Sequence, residues 1–334
     1  MAMLTFYGID ETDRQRFTEM LAKTKHTYEL FAEPLSLTNS NPDAEVISIF
    51  ASNNVTRALI EHMPKLKLIA TRSTGFDHID LQAAEDHDIS VVTVPRYGEQ
   101  TVAEFTFALL LGLSRKLVSA RQSALDGHID IQELQGFDLF GKTFGIIGTG
   151  HIGQHVAEIA RGFGMKIIAH DAYPNDAAAK EIGFGYVSLH ELAAQSDIIS
   201  LHTPSTPETH HLVDKAFLER VKSRCVLINT ARGELVDTTA LVQALGSHKL
   251  AGAALDVMER ETLLHETAEA IQAELSVKTA QAIVDILALK AMPNVILTPH
   301  VAFNTSEAVD RIRQTTVQNI IDFYDGATPN IVRK

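Results

Sequence analysis

Several things are scarce or missing in this 334-residue chain, and each absence closes off a class of protein. A single cysteine, Cys225, rules out an internal disulfide and fits a reducing compartment. Its apolar neighbours Val226, Leu227 and Ile228 mark it as a buried strand residue rather than a nucleophile. No apolar run reaches the roughly 18–20 residues that span a bilayer. The longest, Phe105–Leu113, is short and lies between Glu104 and Arg115. The N-terminus has no basic patch followed by an apolar core, so the expected location is cytoplasmic, without a signal peptide. Cations are few: 29 Lys and Arg against 42 Asp and Glu give a net charge of −13, with no basic block. That argues against nucleic acid or an anionic membrane as the main partner. An anionic ligand must therefore be drawn in by specific local cations. There is no tryptophan, no internal repeat and no low-complexity tract.

What is present begins with Thr143–Ile147, an apolar strand-like run that opens directly into Gly148-Thr149-Gly150-His151-Ile152-Gly153 and a helix-forming segment. Lys166–His170 reads as a second strand ending at Asp171, about 20 residues past the glycines, which completes the dinucleotide-binding context. Gly148 permits a tight turn, Gly150 lets backbone approach a pyrophosphate, and Gly153 lets helix and strand pack closely. The helix N-terminus offers N–H groups and a positive dipole end to the phosphates. A carboxylate at Asp171 would accept the ribose hydroxyls and repel a 2′-phosphate, favouring NAD over NADP. His170 beside it leaves the strictness of that choice open.

At this length two domains are the natural division. The first third alternates strand and helix signals: Leu4–Tyr7, a helix from Glu11 to about Lys23, then Val46–Phe50, Leu66–Ala70 and Ile89–Val94. Such alternation implies β-α-β units on a parallel sheet. Thr101 to about Leu125 reads as one long helix, apolar over its first half and so buried in a core or between subunits. A second series runs from Thr143 through Ile198–Leu201, Val226–Asn229, Gly252–Leu255 and Val295–Leu297. The segment Leu263–Ala291 looks helical and acidic. Ser306 to about Tyr324 is amphipathic and most simply packs back on the first domain.

Ligands in open α/β sheets bind beyond the carboxyl ends of the strands. Thr230-Ala231-Arg232-Gly233 follows one predicted strand, Asp256 through Glu261 another, and Thr298-Pro299-His300 the last. An arginine, a carboxylate and a histidine thus emerge on the same edge as the phosphate-binding glycines. This set suits hydride exchange with a 2-keto acid. Arg232 can clamp a carboxylate and polarise the keto oxygen with its fork of donors. His300 can donate a proton to that oxygen and accept it in reverse, while Glu261 holds the other imidazole N–H. Taken singly, each has a bland reading: arginines mostly form salt bridges, and a Pro-His pair is often a turn.

Over nearly its whole length the chain resembles the NAD-dependent D-2-hydroxyacid dehydrogenases. The resemblance rests on Gly148–Gly153, Ser200-Leu201-His202-Thr203-Pro204, Asn229–Gly233, Leu255-Asp256-Val257 with Glu261, and Thr298-Pro299-His300. Thr71–Asp80, Val94-Pro95-Arg96-Tyr97 and Pro299–Phe303 are similar to the D-lactate branch. The resemblance implies an α/β protein with two doubly wound domains. A Rossmann NAD-binding domain, residues 99–302, is inserted into a flavodoxin-like substrate-binding domain, residues 1–98 and 303–334. It implies reversible, NADH-dependent reduction of pyruvate to D-lactate, with Arg232, Glu261 and His300 as the catalytic set. Thr74 and Gly75 would offer backbone N–H groups to the substrate carboxylate, and Tyr97 and Phe303 would close around a small methyl group. His151 and Ile152 would cover the pyrophosphate. Thr203, Pro204, Thr209, Thr230, Ala231 and Asp256 would line the adenosine and nicotinamide pockets. No metal is implied. Relatives are usually dimers, so a homodimer through the 101–125 region is expected.

Two departures bear on substrate identity. Thr262 stands where many relatives have proline, and the 263–291 insert is long for glycerate-type members. Hydroxypyruvate, glyoxylate or a branched 2-keto acid remain rival substrates. NAD-sensing corepressors share the fold and the catalytic trio, but this chain has no long Pro/Ser-rich tail.

Overall fold

The computed structural model describes every residue except 52, 129, 262–275, 328 and 333–334, together with the backbone alone of 278. Thr262 and the first part of the 263–291 insert lie outside the described residues. The chain divides into two compact units: Met1–Tyr97 with Asn304–Lys334, and Gly98–Phe303.

In the first unit five strands, β1 (Met3–Phe6), β2 (Thr27–Leu30), β3 (Val46–Ile49), β4 (Leu68–Thr71) and β5 (Ser90–Val92), form one sheet in the order β2-β1-β3-β4-β5. Every pairing is parallel, and the order is that of flavodoxin-like folds. Both faces are covered, which explains why β3 and β4 read as continuous apolar runs. The closing helix Ser306–Tyr324 returns to this unit and places Val317 and Ile320 in its core beside Leu4, Phe17 and Val92. Strand β2 was not anticipated. At the sheet edge it alternates exposed Thr27 and Glu29 with half-buried Tyr28 and Leu30, so no apolar run announces it.

The second unit holds seven parallel strands: β6 (Thr143–Ile147), β7 (Lys166–His170), β8 (Gly185–Tyr186), β9 (Ile198–Leu201), β10 (Val226–Asn229), β11 (Gly252–Leu255) and β12 (Val295–Leu297). Their order is β12-β11-β10-β9-β6-β7-β8, so the direction in which successive strands are added reverses between β6 and β9. Residues alternate between two layers along each strand. Phe144, Ile146, Ile198, Val226, Ile228 and Ala254 enter one core, while Ile147, Ile199, Leu227, Ala253 and Leu255 enter the other. That is the doubly wound Rossmann arrangement, with helices on both faces of the sheet.

The long helix expected over 101–125 is two helices, Glu99–Ser114 and Leu117–Asp126. The break sits where another segment meets the helix. Lys116 takes a left-handed conformation (φ 49°), and the freed Ser114 carbonyl accepts the Phe137 N–H at 2.9 Å. Gly136 permits that approach, since a Cβ there would collide with the same carbonyl. The Glu99–Ser114 helix is buried largely within its own unit through Ala103, Phe107, Leu109 and Leu110. Among the described residues, no helix is long and apolar enough to cross a membrane.

Candidate active site

The reversal between β6 and β9 opens a crevice at the carboxyl ends of the strands, where ligands of such sheets bind. Gly148 ends β6 there with φ +93°, between the His170 carbonyl, which accepts its N–H at 2.9 Å, and the His202–Thr203 backbone leaving β9. A Cβ at Gly148 would stand 2.6 Å from the His202 carbonyl carbon, so only glycine fits both the conformation and the space. Gly153, one turn into the helix His151–Gly162, lies directly on the Gly148 carbonyl, which any side chain would strike. Gly150 is different: nothing lies within 4 Å of its absent side chain, and as N-cap it gives the helix no side-chain hydrogen bond. The N–H groups of the first turn thus meet an open face, the arrangement that receives a pyrophosphate. His151 opens that helix with its side chain 63% exposed, and its Nδ1 lies 3.9 Å from Glu99; Ile152 follows, half-buried.

Asp171 follows β7. One carboxylate oxygen accepts the Thr149 N–H at 2.5 Å and its hydroxyl at 2.8 Å, and the other accepts the Tyr173 N–H at 2.8 Å. Partial burial raises its pKa. The hydrogen bonds from Thr149 and Tyr173, aided by His170, outweigh that and hold it below the usual carboxylate range. Tyr186 braces the same corner, its hydroxyl 2.8 Å from that of Thr149 and accepting the Asn175 N–H at 2.9 Å. The acid is therefore a fixed, ionised acceptor. Thr149 and Tyr186 were not singled out in the sequence; the signal for Thr149 lay inside the glycine motif itself. Open glycine turn, uncapped helix and fixed acid together fit a dinucleotide.

Other residues expected to line the cofactor pockets have varied surroundings. The Thr209 hydroxyl donates to the Pro204 carbonyl at 2.7 Å and accepts the Thr206 N–H at 2.8 Å, closing a turn after β9. Thr203 is half-buried and Pro204 exposed at the start of that turn. Thr230 is buried, with its hydroxyl 3.0 Å from that of Thr106 on the Glu99–Ser114 helix. Within that loop His202 stacks no charge into the crevice. Its ring is set inward with Nε2 2.8 Å from the Ser200 hydroxyl, and burial pushes its pKa down to about 3 although part of the residue stays accessible.

The other side of the crevice is made by three loops. After β10, Asn229 is buried and acts as a clip: its Oδ1 accepts the Ala231 N–H at 3.0 Å and its Nδ2 donates to the Arg232 carbonyl at 2.8 Å. Arg232 is thereby held in extended backbone, with one guanidinium N–H on the Ala231 carbonyl at 2.8 Å. Gly233 next to it abuts the Met258–Glu259 backbone so closely that a Cβ would collide. After β11 comes Asp256, only 1% exposed. Its carboxylate accepts the Thr298 hydroxyl at 2.5 Å and the N–H groups of Val301 at 3.0 Å and Ala302 at 2.8 Å. The Asp256 carbonyl accepts the His300 N–H at 2.9 Å. Asp256, expected to line the cofactor pockets, thus also anchors the loop after β12 through three contacts to its carboxylate. That loop carries His300 at φ 53°, a strained conformation for a side-chain-bearing residue, and the three hydrogen bonds over-determine it.

His300 Nδ1 and Glu261 Oε1 are 2.8 Å apart, with side chains 41% and 35% exposed. Such a contact fixes the ring and reserves Nε2 for a ligand. Phe303, half-buried, closes this segment. Cys225, by contrast, is fully buried, and burial pushes its thiol up to about 12, which excludes it from chemistry at neutral pH.

The first unit carries Thr74, Gly75 and Tyr97. Thr74 donates its hydroxyl to the Val94 carbonyl at 2.9 Å, and Gly75 offers its carbonyl to the Ser73 hydroxyl at 2.6 Å. Tyr97 is half-buried, and its carbonyl accepts Arg311 Nε at 2.8 Å. Beneath that loop lies Arg72, 3% exposed, donating to the carbonyls of Tyr7 at 2.7 Å and Ser48 at 3.2 Å. Burial lowers its pKa to about 10, with Asp13 and Asp10 opposing, so it stays charged and ties three strand ends together.

A glycine turn at the switch point, a fixed acid after the second strand and a histidine–carboxylate pair on the loops after the later strands suit a nicotinamide-dependent oxidoreductase. Residues 107–302 match the family described as "D-isomer specific 2-hydroxyacid dehydrogenase, NAD binding domain", and the chain belongs to that family of NAD-dependent oxidoreductases. It is 39% identical over 292 residues to the D-lactate dehydrogenase of Escherichia coli (strain K12), covering 86% of this chain and 85% of that protein. A glyoxylate reductase of Thermococcus litoralis is 36% identical over 300 residues, covering 87% and 84%. Among solved structures, the D-lactate dehydrogenase of Aquifex aeolicus complexed with NAD and lactic acid is 36% identical, covers 98% of each chain and superposes with a TM-score of 0.87.

Proposed function

We propose that this protein reduces pyruvate to D-lactate, reversibly, with Arg232, Glu261 and His300 as its catalytic residues. The observation that carries the reading is the His300–Glu261 contact of 2.8 Å, on a loop that Asp256 anchors through three hydrogen bonds. NADH, when bound, supplies the hydride. Arg232 binds the substrate carboxylate and draws electron density from the keto oxygen. His300 donates its Nε2 proton to that oxygen, and Glu261 stabilises the imidazolium before the transfer. In the reverse direction the neutral ring takes the hydroxyl proton. Gly148, Gly150, His151, Ile152, Gly153, Thr203, Pro204, Thr209, Thr230, Ala231 and Asp256 are assigned to the cofactor, with Asp171 on its ribose. Thr74 and Gly75 are assigned as backbone donors to the substrate, and Tyr97 and Phe303 as side chains limiting its size.

The D-lactate reading draws support from the similarity to D-lactate dehydrogenases and from the aromatic residues assigned to the substrate side chain. It is tested by NADH oxidation with pyruvate, hydroxypyruvate, glyoxylate, 2-ketobutyrate and 2-ketoisocaproate. A clear preference for pyruvate with a D-configured product supports it; preference for glyoxylate or a larger acid replaces the substrate and keeps the family.

We also propose a homodimer. Leu111, Leu117, Val118, Leu125, Ile131 and Phe140 are exposed large apolar side chains within one stretch of the second unit. A concentration of that kind marks a surface that a partner covers. Sedimentation at micromolar concentration decides it.

A further inference from the structure

We infer that His210, His211 and Glu259 form a binding site for zinc or a similar borderline divalent cation, outside the catalytic set. Among the described residues, this is the group whose histidine and carboxylate donor atoms lie together, all within 4.8 Å of one another. His211 Nε2 and Glu259 Oε1 are 2.8 Å apart, and the two imidazole rings are 4.0 Å apart between centroids.

His210 closes a turn through its N–H on the Thr206 carbonyl at 2.9 Å, and His211 follows in the left-handed region at φ 52°, which leaves the two rings side by side. The turn is secured by backbone. The His211 N–H donates to the Glu234 carbonyl at 2.8 Å, and the Val213 N–H to Leu235 at 2.9 Å. Glu259 arrives on a separate segment, the one that Gly233 abuts without room for a side chain. Its second carboxylate oxygen lies 3.4 Å from the Thr238 hydroxyl, which orients it. Two segments held against the same turn thus present two imidazoles and a carboxylate.

Zinc takes such ligands at about 2.0 Å, which places tetrahedral donor atoms roughly 3.3 Å apart. The present spacing reaches that value by rotation about side-chain bonds, with the His211–Glu259 pair opening slightly. Imidazole and carboxylate together suit zinc, cobalt(II) or nickel(II) better than calcium or magnesium. His210 is exposed and the other two are half-buried, so the cation has an entry path and a fourth position for water. The ordinary alternative is a surface histidine–glutamate hydrogen bond with a stacked neighbour.

The test is calorimetric titration of the whole protein with zinc, and cobalt(II) absorption in parallel, for the natural chain, His210→Ala and Glu259→Gln. The chain has 15 histidines, so stoichiometry alone does not identify the site. The expected result is binding that weakens by more than the roughly 10–100-fold typical of losing a ligand's supporting partner in both variants, with loss of the intense tetrahedral cobalt bands. Because His210 is exposed, its replacement leaves the fold intact, and unchanged NADH binding verifies this. Absence of zinc binding to the natural chain overturns the site, as does undiminished binding in either variant.

Discussion

The two sides of the second unit's crevice are built by different means. The β6–β7 side is made of what is missing: Gly148 and Gly153 leave no room for a Cβ, and Gly150 leaves space in front of a helix N-terminus. The β10–β12 side is made of buried polar anchors. Asn229 clips the Arg232 loop through two hydrogen bonds, and Asp256 ties the loop of His300 through three to its carboxylate and one to its carbonyl. The cofactor side needs close approach of backbone, which glycine supplies locally. The side assigned to catalysis holds three side chains from distant segments in fixed orientation, which an over-determined polar network supplies.

The comparison can be broken most sharply at His300. Replacement by alanine should lower kcat by about 10²–10⁴-fold, the usual contribution of a general acid, with NADH affinity nearly unchanged. Equal loss of both, measured by steady-state kinetics and NADH fluorescence, would mean the two sides are not separable. Next comes Asp256→Ala, which removes the anchor and leaves three donors without their acceptor. A misplaced His300 should cost about 10²-fold in kcat, along with a lower melting temperature. Full activity in a folded variant would assign the loop's geometry to its backbone alone.

On the cofactor side the effects are smaller and fall on binding. Asp171→Ser should move the ratio of NADH to NADPH affinity by about tenfold towards NADPH, or about 1.4 kcal/mol. A ratio that does not move would show that the carboxylate, already held by Thr149 and Tyr173, takes no part in the choice.

At His202, where the β9 loop meets Gly148, the expected effect falls on stability and leaves activity at neutral pH alone. Its folded pKa of about 3 lies below the ordinary 6.5, so between those values the unfolded chain binds the extra proton. The stability that comes from keeping it neutral is therefore whole above about pH 6.5 and is lost as pH falls towards 3, at up to about 1.4 kcal/mol per pH unit. In His202→Asn the dependence of melting temperature on pH should flatten over that range; an unchanged slope would place the titration elsewhere.

Much of the second unit was legible because its signals are local. Strands β9 to β12 begin and end where their apolar runs do, and the glycines announce the phosphate turn by their spacing. Arg232, Glu261 and His300 could be picked out by their positions after strands. Their supports could not. Nothing near Asp256 says that its acceptors serve residues 298–302, more than 40 positions on. Arg72 looks like any cation in a loop until the strand ends close over it. The single helix expected over 101–125 is broken at Lys116 because a distant segment, Gly136–Phe137, takes over the Ser114 carbonyl.

The sequence by itself determined the α/β alternation, the dinucleotide turn and the family, and it placed Arg232, Glu261 and His300, to which the proposed chemistry is assigned, after their strands, since apolar period and glycine placement act over a few neighbouring residues. Tertiary structure alone decided which carboxylate holds the His300 loop, where the long helix breaks and that His210, His211 and Glu259 meet. Those outcomes depend on hydrogen bonds between segments tens of residues apart, and such contacts exist only once the strands are in register and the loops at their ends are brought together.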